Sequence, residues 1–461
     1  MEVILKSCKK NPQCPHGPCL IFERHTSNGT KSGKKFYSCS ACRDRSVCSF
    51  FHWVDDEFPD QKRNHWKNII AANQPPFTHE ECEKRRASFK KLLQHERKYC
   101  KTCSLLLLPT DKKSHQEHEV VDNLTLEQLL QPTFLLLTLN NKKAEAQYFF
   151  STKTVYFVTS LLKKLKYTKL VLIGTPKIHE YLNSNQSENL GLSSFLMDID
   201  DRYMQFYDPE QFCQYNLFNN HFFNGKASKM KLKEFMTESN EEKVAVLLDP
   251  PFGGLIDAIS FTLKKLNKYW QEANSKTNLE TFPLLWFFPY FMESRIIKNI
   301  PDLVMMDYKV EYSNHRKFGD KAGSKGSPIR IFTNVPASLF VLPENEGYRF
   351  CNTCQRYVSQ ENQHCKKCNK CTTKHGNTYK HCDKCHQCVK SSYVHCEVHN
   401  KCVLDTSNSH ETSEKVCKCS VESSDGDNSN KCFKCFGYGH RKRDCPTSVR
   451  SKQGKRKKMK R

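Results

Sequence analysis

Val244-Ala-Val-Leu-Leu-Asp249-Pro250-Pro251-Phe252-Gly-Gly254 does more than any other stretch to narrow the folds open to this chain. A short uncharged run of β-branched and aliphatic residues reads as a strand buried on both faces, as in a parallel sheet. Two prolines and two glycines then stop it. An acid is thereby left at the carboxyl end of a strand, the edge at which open α/β sheets bind their ligands. Each proline fixes its own φ and pushes the residue before it into an extended conformation. The Asp249 carboxylate and the Pro250 carbonyl can therefore face one small volume as two acceptors. Two acceptors suit an amino group with two hydrogens, and Phe252 can lie against the planar ring that carries it. Hydrogen bonds from both N–H groups would favour a more pyramidal, nucleophilic nitrogen in the transition state.

Asp249-Pro250-Pro251-Phe252 resembles the (Asn/Asp/Ser)-Pro-Pro-(Tyr/Phe/Trp) motif of amino-group methyltransferases that use S-adenosyl-L-methionine. The resemblance implies that these four residues form the catalytic motif, with Asp249 at the cofactor as well. Gln74-Pro75-Pro76-Phe77 looks alike but follows a helical segment and lacks the acid, so it reads as a turn. Gln147-Tyr148-Phe149-Phe150-Ser151 resembles the Gln-Phe-Trp-Tyr-Ser segment of N6-adenine-methyltransferase-like proteins. That implies a cofactor-pocket role for Gln147, Tyr148, Phe149 and Phe150, with core packing the alternative for each ring. Lys169-Leu-Val-Leu-Ile-Gly174-Thr-Pro-Lys177 is a strand running into a turn and a helix, where backbone can approach a cofactor, although one glycine replaces the usual Gly-rich form. Gly174 and Lys177 are the residues expected there. The next strand ends in acids, and an acid there suits ribose hydroxyls. Asp198 is preferred because it ends the apolar run, and Asp200 is the runner-up. Asn216 and Leu217 are assigned to the adenine of the cofactor by analogy with related enzymes. Helix 256–270 and strands over 284–288, 303–310 and 329–332 complete a count of seven strands, as in a class I, Rossmann-like methyltransferase. The Lys/Gly/Ser-rich stretch 313–327 is expected to form a mobile loop near the active edge, able to act as a lid.

Lys and Arg number 73 against 49 Asp and Glu, a formal net charge of +24, which points to nucleic acid as partner rather than to an acidic small molecule. Of the 25 cysteines most fall in Cys-x2-Cys spacing, interleaved with histidines, which is the spacing of zinc sites in a reducing compartment. The leucine runs at 105–108 and 135–137 are too short to span a bilayer, and no apolar segment follows a basic start, so a soluble intracellular protein is expected.

The first cysteines lie in Cys14-Pro-His16, Gly33-Lys-Lys-Phe36-Tyr37-Ser-Cys39 and Cys48-Ser-Phe50-Phe51-His-Trp53, a pattern that resembles the GRF-type zinc finger, with Lys34 where that family usually has Arg. The match implies Cys14, His16, Cys39 and Cys48 as ligands, though Cys42 could replace Cys39. Interleaved aromatics and cations suit single-stranded nucleic acid, with a small aromatic core as the alternative, favoured for Phe50. Cys100, Cys103, His115 and His118 make a second four-ligand set whose short spacing reads as a structural clip rather than a groove-reading finger. From 351 an internal repeat supplies three more: Cys351, Cys354, His364 and Cys371; Cys382, Cys385, His395 and Cys402; and, interlocked between them, Cys365, Cys368, His381 and Cys388. A further set around Cys396, His399 and Cys417 is weaker. The repeat resembles the cysteine-rich domain of protein acyltransferases, but their Asp-His-His-Cys site and membrane spans are missing, so acyl transfer is rejected. Cys432, Cys435, His440 and Cys445 have the spacing of a zinc knuckle, a single-strand RNA module. A basic tail fit for phosphate contact or nuclear import ends the sequence. None of these six zinc sites leaves an open position, so zinc should be structural, not catalytic.

The expected order is a finger over 1–60, a helical segment with the zinc clip over 61–120, the methyltransferase domain over 121–345, a multi-zinc domain over 346–420, the knuckle over 431–446 and the tail over 447–461. As a whole it resembles the ribosomal RNA adenosine N6-methyltransferases. The resemblance implies methylation of a specific adenosine in large-subunit (28S) ribosomal RNA, a nuclear and nucleolar location extending to cytoplasm, and RNA helicase or ribosome-assembly proteins as partners. Two rival readings remain: a protein lysine or glutamine methyltransferase, and a non-catalytic RNA-binding zinc protein.

Overall fold

The computed structural model describes residues 2–5, 10–26, 30–42, 44–139, 147–184, 190–315, 327–374, 378–397 and 400–404. The expected knuckle, the basic tail and most of the 313–327 loop lie outside them. The chain divides into two compact units, Met1–Tyr379 and Lys380–Arg461.

Eight strands form the central sheet of the first unit: β1 (Lys169–Ile173), β2 (Ser193–Asp198), β3 (Phe212–Asn216), β4 (His221–Phe222), β5 (Val244–Leu248), β6 (Leu284–Pro289), β7 (Val304–Met306) and β8 (Ile329–Thr333). Their order is β4-β3-β2-β1-β5-β6-β8-β7. β3, β2, β1, β5 and β6 run parallel, while β8 is antiparallel to both β6 and β7. The count expected was seven; the eighth is β4, a two-residue strand paired antiparallel beside β3.

Alternate residues of β1 serve two apolar layers, Leu170 and Leu172 one, Val171 and Ile173 the other, which is why the strand reads as continuously hydrophobic. Helices α1 (Thr152–Lys164) and α2 (Pro176–Leu182) pack on the first layer through Val155, Val158, Leu161 and Ile178. On the other face lie α3 (Gly225–Phe235), α4 (Ile256–Asn274) and α5 (Glu293–Asn299). β1 pairs with β2 and β5 in a register that sets Ile173 opposite both Met197 and Leu248. Gly174, Asp198 and Asp249 consequently emerge side by side at the carboxyl edge, where strand order reverses about β1, the place where such sheets open a crevice.

The strand expected over 303–310 leaves the sheet at Met306. The cause is Asp307, whose carboxylate accepts hydrogen bonds from Ser359 N at 3.0 Å and Asn362 Nδ2 at 2.8 Å in the first cysteine-rich hairpin. Gln74–Phe77 joins helices Asp60–Ala72 and His79–Lys90, the second opened by a Thr78–Glu81 capping box, and Arg85 covers the Phe77 ring. In the second unit strands Tyr393–Cys396 and Lys401–Leu404 form a hairpin. No helix among the described residues is long and apolar enough to cross a membrane.

Candidate active site

A cavity of about 350 Å³ opens at the carboxyl edge between β1, β2, β3 and β5, lined by Gly174, Asp198, Asn216, Leu217 and Asp249-Pro250-Pro251-Phe252 among others. Asp249 holds its place through two contacts. Its backbone N–H donates to Ile173 O at 3.1 Å, and its Oδ1 accepts from the Tyr312 hydroxyl at 3.0 Å. Tyr312 is fully buried. Burial pushes the Asp249 carboxyl well above the ordinary carboxylate range, and the Tyr312 hydrogen bond offsets only part of that. Gly254 N donates to Pro251 O at 2.7 Å and closes the turn. A Cβ on Gly254 would come within 2.8 Å of that same oxygen, which explains a glycine there.

Phe252 stacks on Tyr148 with centroids 5.6 Å apart and meets Tyr312 edge-on at 6.0 Å, while His315 lies 4.5 Å from Tyr148. Tyr148 therefore already covers one face of Phe252. A flat base must use the opposite face or displace Tyr148.

Gly174 has φ +66°, and a Cβ there would stand 3.1 Å from Asp249 O. The single glycine of this turn is thus the one residue that lets β1 and β5 end side by side. Asp198 accepts from Asp200 N at 3.0 Å, and its pKa is pushed up to about 7, by burial first and the Asp200 carboxylate second. Asp200 is engaged by Arg202 through Nε at 2.8 Å and Nη2 at 2.6 Å. Asp198 is thus the carboxylate less committed to protein partners. This donor set fits S-adenosyl-L-methionine: a carboxylate for ribose hydroxyls, a side chain-free backbone turn and an apolar shelf at Leu217.

Of the aromatic segment, Gln147 and Tyr148 line the cavity. Phe149 and Phe150 are buried elsewhere; Phe150 packs on Phe287 and Tyr312 as core. Lys177 is not in the lining but ion-paired to Glu180 at 2.9 Å, a group also bound by Thr133. Asn216 lines the cavity, yet its amide donates to His16 O and Ser40 Oγ of the N-terminal module.

The thiols and imidazoles gather as zinc requires. Cys14, His16, Cys39 and Cys48 converge with all ligand atoms within 4.8 Å of one another, as do Cys100, Cys103, His115 and His118, and Cys351, Cys354, His364 and Cys371. Tetrahedral ligands about 2.0–2.3 Å from one ion lie roughly 3.3–3.8 Å apart. Cys39 Sγ to His16 Nδ1 is 3.5 Å, and Cys103 Sγ to His118 Nδ1 is 3.3 Å. Cys42 Sγ instead faces the other ring nitrogen of His16, at 3.5 Å. In the second unit Cys382, Cys385, His395 and Cys402 converge likewise. Cys365 and Cys368 belong to the first unit, His381 and Cys388 to the second, where they are 3.8 Å apart. The residue after the second cysteine of a pair has positive φ at Ser104, Gln355, Asn369 and His386, one turn repeated four times. Zinc therefore fits the ligand sets as a structural ion.

A family model described as probable N6-adenine methyltransferase matches residues 141–332, and the GRF zinc finger model matches residues 12–57. Proteins named rRNA N(6)-adenosine-methyltransferase ZCCHC4 from Xenopus tropicalis, Mus musculus and Homo sapiens are 43%, 43% and 42% identical to this chain. The matches cover 75%, 76% and 78% of this chain, and 72%, 69% and 71% of those proteins. The chain belongs to the rRNA N(6)-adenosine-methyltransferase family.

Two features of this family member escaped sequence reasoning. Tyr312 lies 63 residues from Asp249 in an irregular segment, with nothing local to mark it. The GRF finger, read as a nucleic-acid module, contributes His16, Ala41, Cys42 and Val47 to the cavity lining.

Proposed function

We propose that this chain methylates N6 of a specific adenosine in large-subunit (28S) ribosomal RNA, working in the nucleus and nucleolus. The observation that carries the reading is the Asp249 carboxylate at the cavity wall, anchored through one oxygen by Tyr312 and flanked by the Phe252 ring. The net charge of +24 and the knuckle spacing at Cys432–Cys445 support RNA as the macromolecule bound.

S-adenosyl-L-methionine, when bound, supplies an electrophilic methyl group. Gly174, Asp198 and Leu217 would hold it. The protein's own part is to grip the amine. A target adenine leaves its stack, at a cost of a few kcal/mol unless already unpaired. Its two N6 hydrogens are taken by Asp249 and the Pro250 carbonyl, which returns to the buried carboxylate the hydrogen bonding it lost with water. As the nitrogen gains positive charge, a carboxylate with a raised pKa is the better acceptor for the proton that must leave. Tyr312 acts as a positioning residue by fixing Oδ1.

Donor binding should depend on pH through Asp198. The ribose hydroxyls donate to the ionised form, so below about pH 7 a proton must first be released and affinity falls. Calorimetry with S-adenosylhomocysteine is expected to show Kd rising about tenfold per unit below that pKa, in proportion to the protonated fraction. An Asp198→Asn variant should bind weakly at every pH; a pH-dependent Kd persisting in it would remove Asp198 from this role.

The function itself is tested by incubating the chain with labelled donor and a mixture of ribosomal RNA and ribosomal proteins. Label in N6-methyladenosine of the RNA is expected, and label in protein would establish the rival reading.

A further inference from the structure

We infer that the GRF finger is a built part of the methyl-donor pocket, held against it by a buried joint of Asn216, Asn219 and Ser40. This rests on the reading that the cavity takes the donor.

Asn216 Nδ2 donates to His16 O at 2.8 Å and to Ser40 Oγ at 2.9 Å. Asn219 Nδ2 donates to Pro18 O at 2.8 Å and to the same Ser40 Oγ at 2.9 Å. Each amide oxygen accepts from its own turn, Asn216 from Phe218 N and Asn219 from His221 N, so neither side chain is free to rotate. Exposure is 1% for Asn216, 5% for Asn219 and 0% for Ser40. The joint is therefore dry, and a buried amide that loses its partner has no water to replace it. Beside it the finger comes as near to β4 as backbone can: a Cβ on Gly17 would fall 2.5 Å from the His221 ring. On another face of the finger Val3, Leu20, Phe22 and Phe36 pack against Leu255 and Ala258, immediately after the Asp-Pro-Pro-Phe turn. The module is thus fastened both at the end of β3 and at the start of α4. Between these anchors His16, Ala41, Cys42 and Val47 face the cavity that Gly174 and Asp198 line from the sheet. A finger serving only to grip RNA has no need of either fastening at this cavity.

The test is calorimetry with S-adenosylhomocysteine on the full, zinc-loaded chain. Ser40→Ala and Asn219→Ala should each raise Kd about tenfold, and the double variant little further, because both cut one joint. In steady state the KM for the donor should rise while kcat at saturation holds, a split that general loss of stability would not produce. Ala41→Trp leaves the joint intact and fills the cavity from the finger side, so it should abolish binding with zinc content and RNA affinity unchanged. Wild-type Kd in all these variants, whatever their melting temperatures, would overturn the inference while leaving the donor reading in place. Failure of the wild-type chain to bind would remove both.

Discussion

Asp249→Ala should lower the methyl-transfer rate by about 10³-fold while donor and RNA affinities stay near those of the wild type. Asp249 meets only the amine among the reacting groups, and its interaction matters most as charge develops on that nitrogen, so the loss should fall on kcat rather than KM. Asp249→Asn keeps an acceptor oxygen but not the charge, and should retain more activity than the alanine variant. Tyr312→Phe separates geometry from chemistry. Its hydrogen bond favours the ionised carboxylate, against the stronger effect of burial. Without it the Asp249 pKa rises further, and the ascending limb of the pH–rate profile should move to higher pH while the high-pH rate falls far less than in Asp249→Ala. Single-turnover transfer of labelled methyl to ribosomal RNA measures all three variants. Wild-type rates in Asp249→Ala would end the account of the site; an unshifted profile in Tyr312→Phe would reduce that contact to packing.

What could be read from sequence was what depends on neighbours in the chain. Val244–Leu248 contains no polar residue because both faces are covered, and that pattern alone located β5 and the acid at its end. The zinc ligands were legible for the same reason: a Cys-x2-Cys pair is a single tight turn, and its positive φ recurs at Ser104, Gln355 and His386. Choosing between Cys39 and Cys42 was not possible, since both belong to one turn and the choice depends on which nitrogen of His16 each meets. Tyr148 and Phe150 are likewise indistinguishable by type and spacing. One is drawn to the cavity beside Phe252, the other into the core beside Phe287, and the difference comes from residues over 100 positions away. Asn216 was assigned to the cofactor by analogy with related enzymes; it lines the cavity, and what could not be read is that its amide meets the finger 200 residues earlier in the chain. Strand 303–310 was cut short by Asp307, whose partners lie on a hairpin some 50 residues later.

Loss of zinc should produce the other large effect, and it should divide the chain unequally. In the second unit the Tyr393–Cys396 and Lys401–Leu404 hairpin has no apolar interior to fall back on: Leu404 is 56% exposed and Val394 37%. Its order must come from Cys382, Cys385, His395 and Cys402, whose pairs Cys385–His395 and Cys385–Cys402 stand 3.2 and 3.5 Å apart. Zinc binding contributes roughly 10–16 kcal/mol in finger peptides at neutral pH, far more than so short a segment gains by burial. Cys385→Ser should accordingly release one zinc per chain and erase amide protection over the 393–404 hairpin. The central sheet owes its stability to two apolar layers and holds no ligand, so its melting transition should shift by no more than about 2 °C. Because the ligands bind as thiolates and neutral imidazole, acid should reproduce the variant's effect, protons displacing the metal as pH falls. Hydrogen exchange with and without chelator distinguishes the outcomes. Protection that survives chelation over 393–404 would mean that the hairpin folds by itself and that the histidine–cysteine repeat serves some purpose other than stapling.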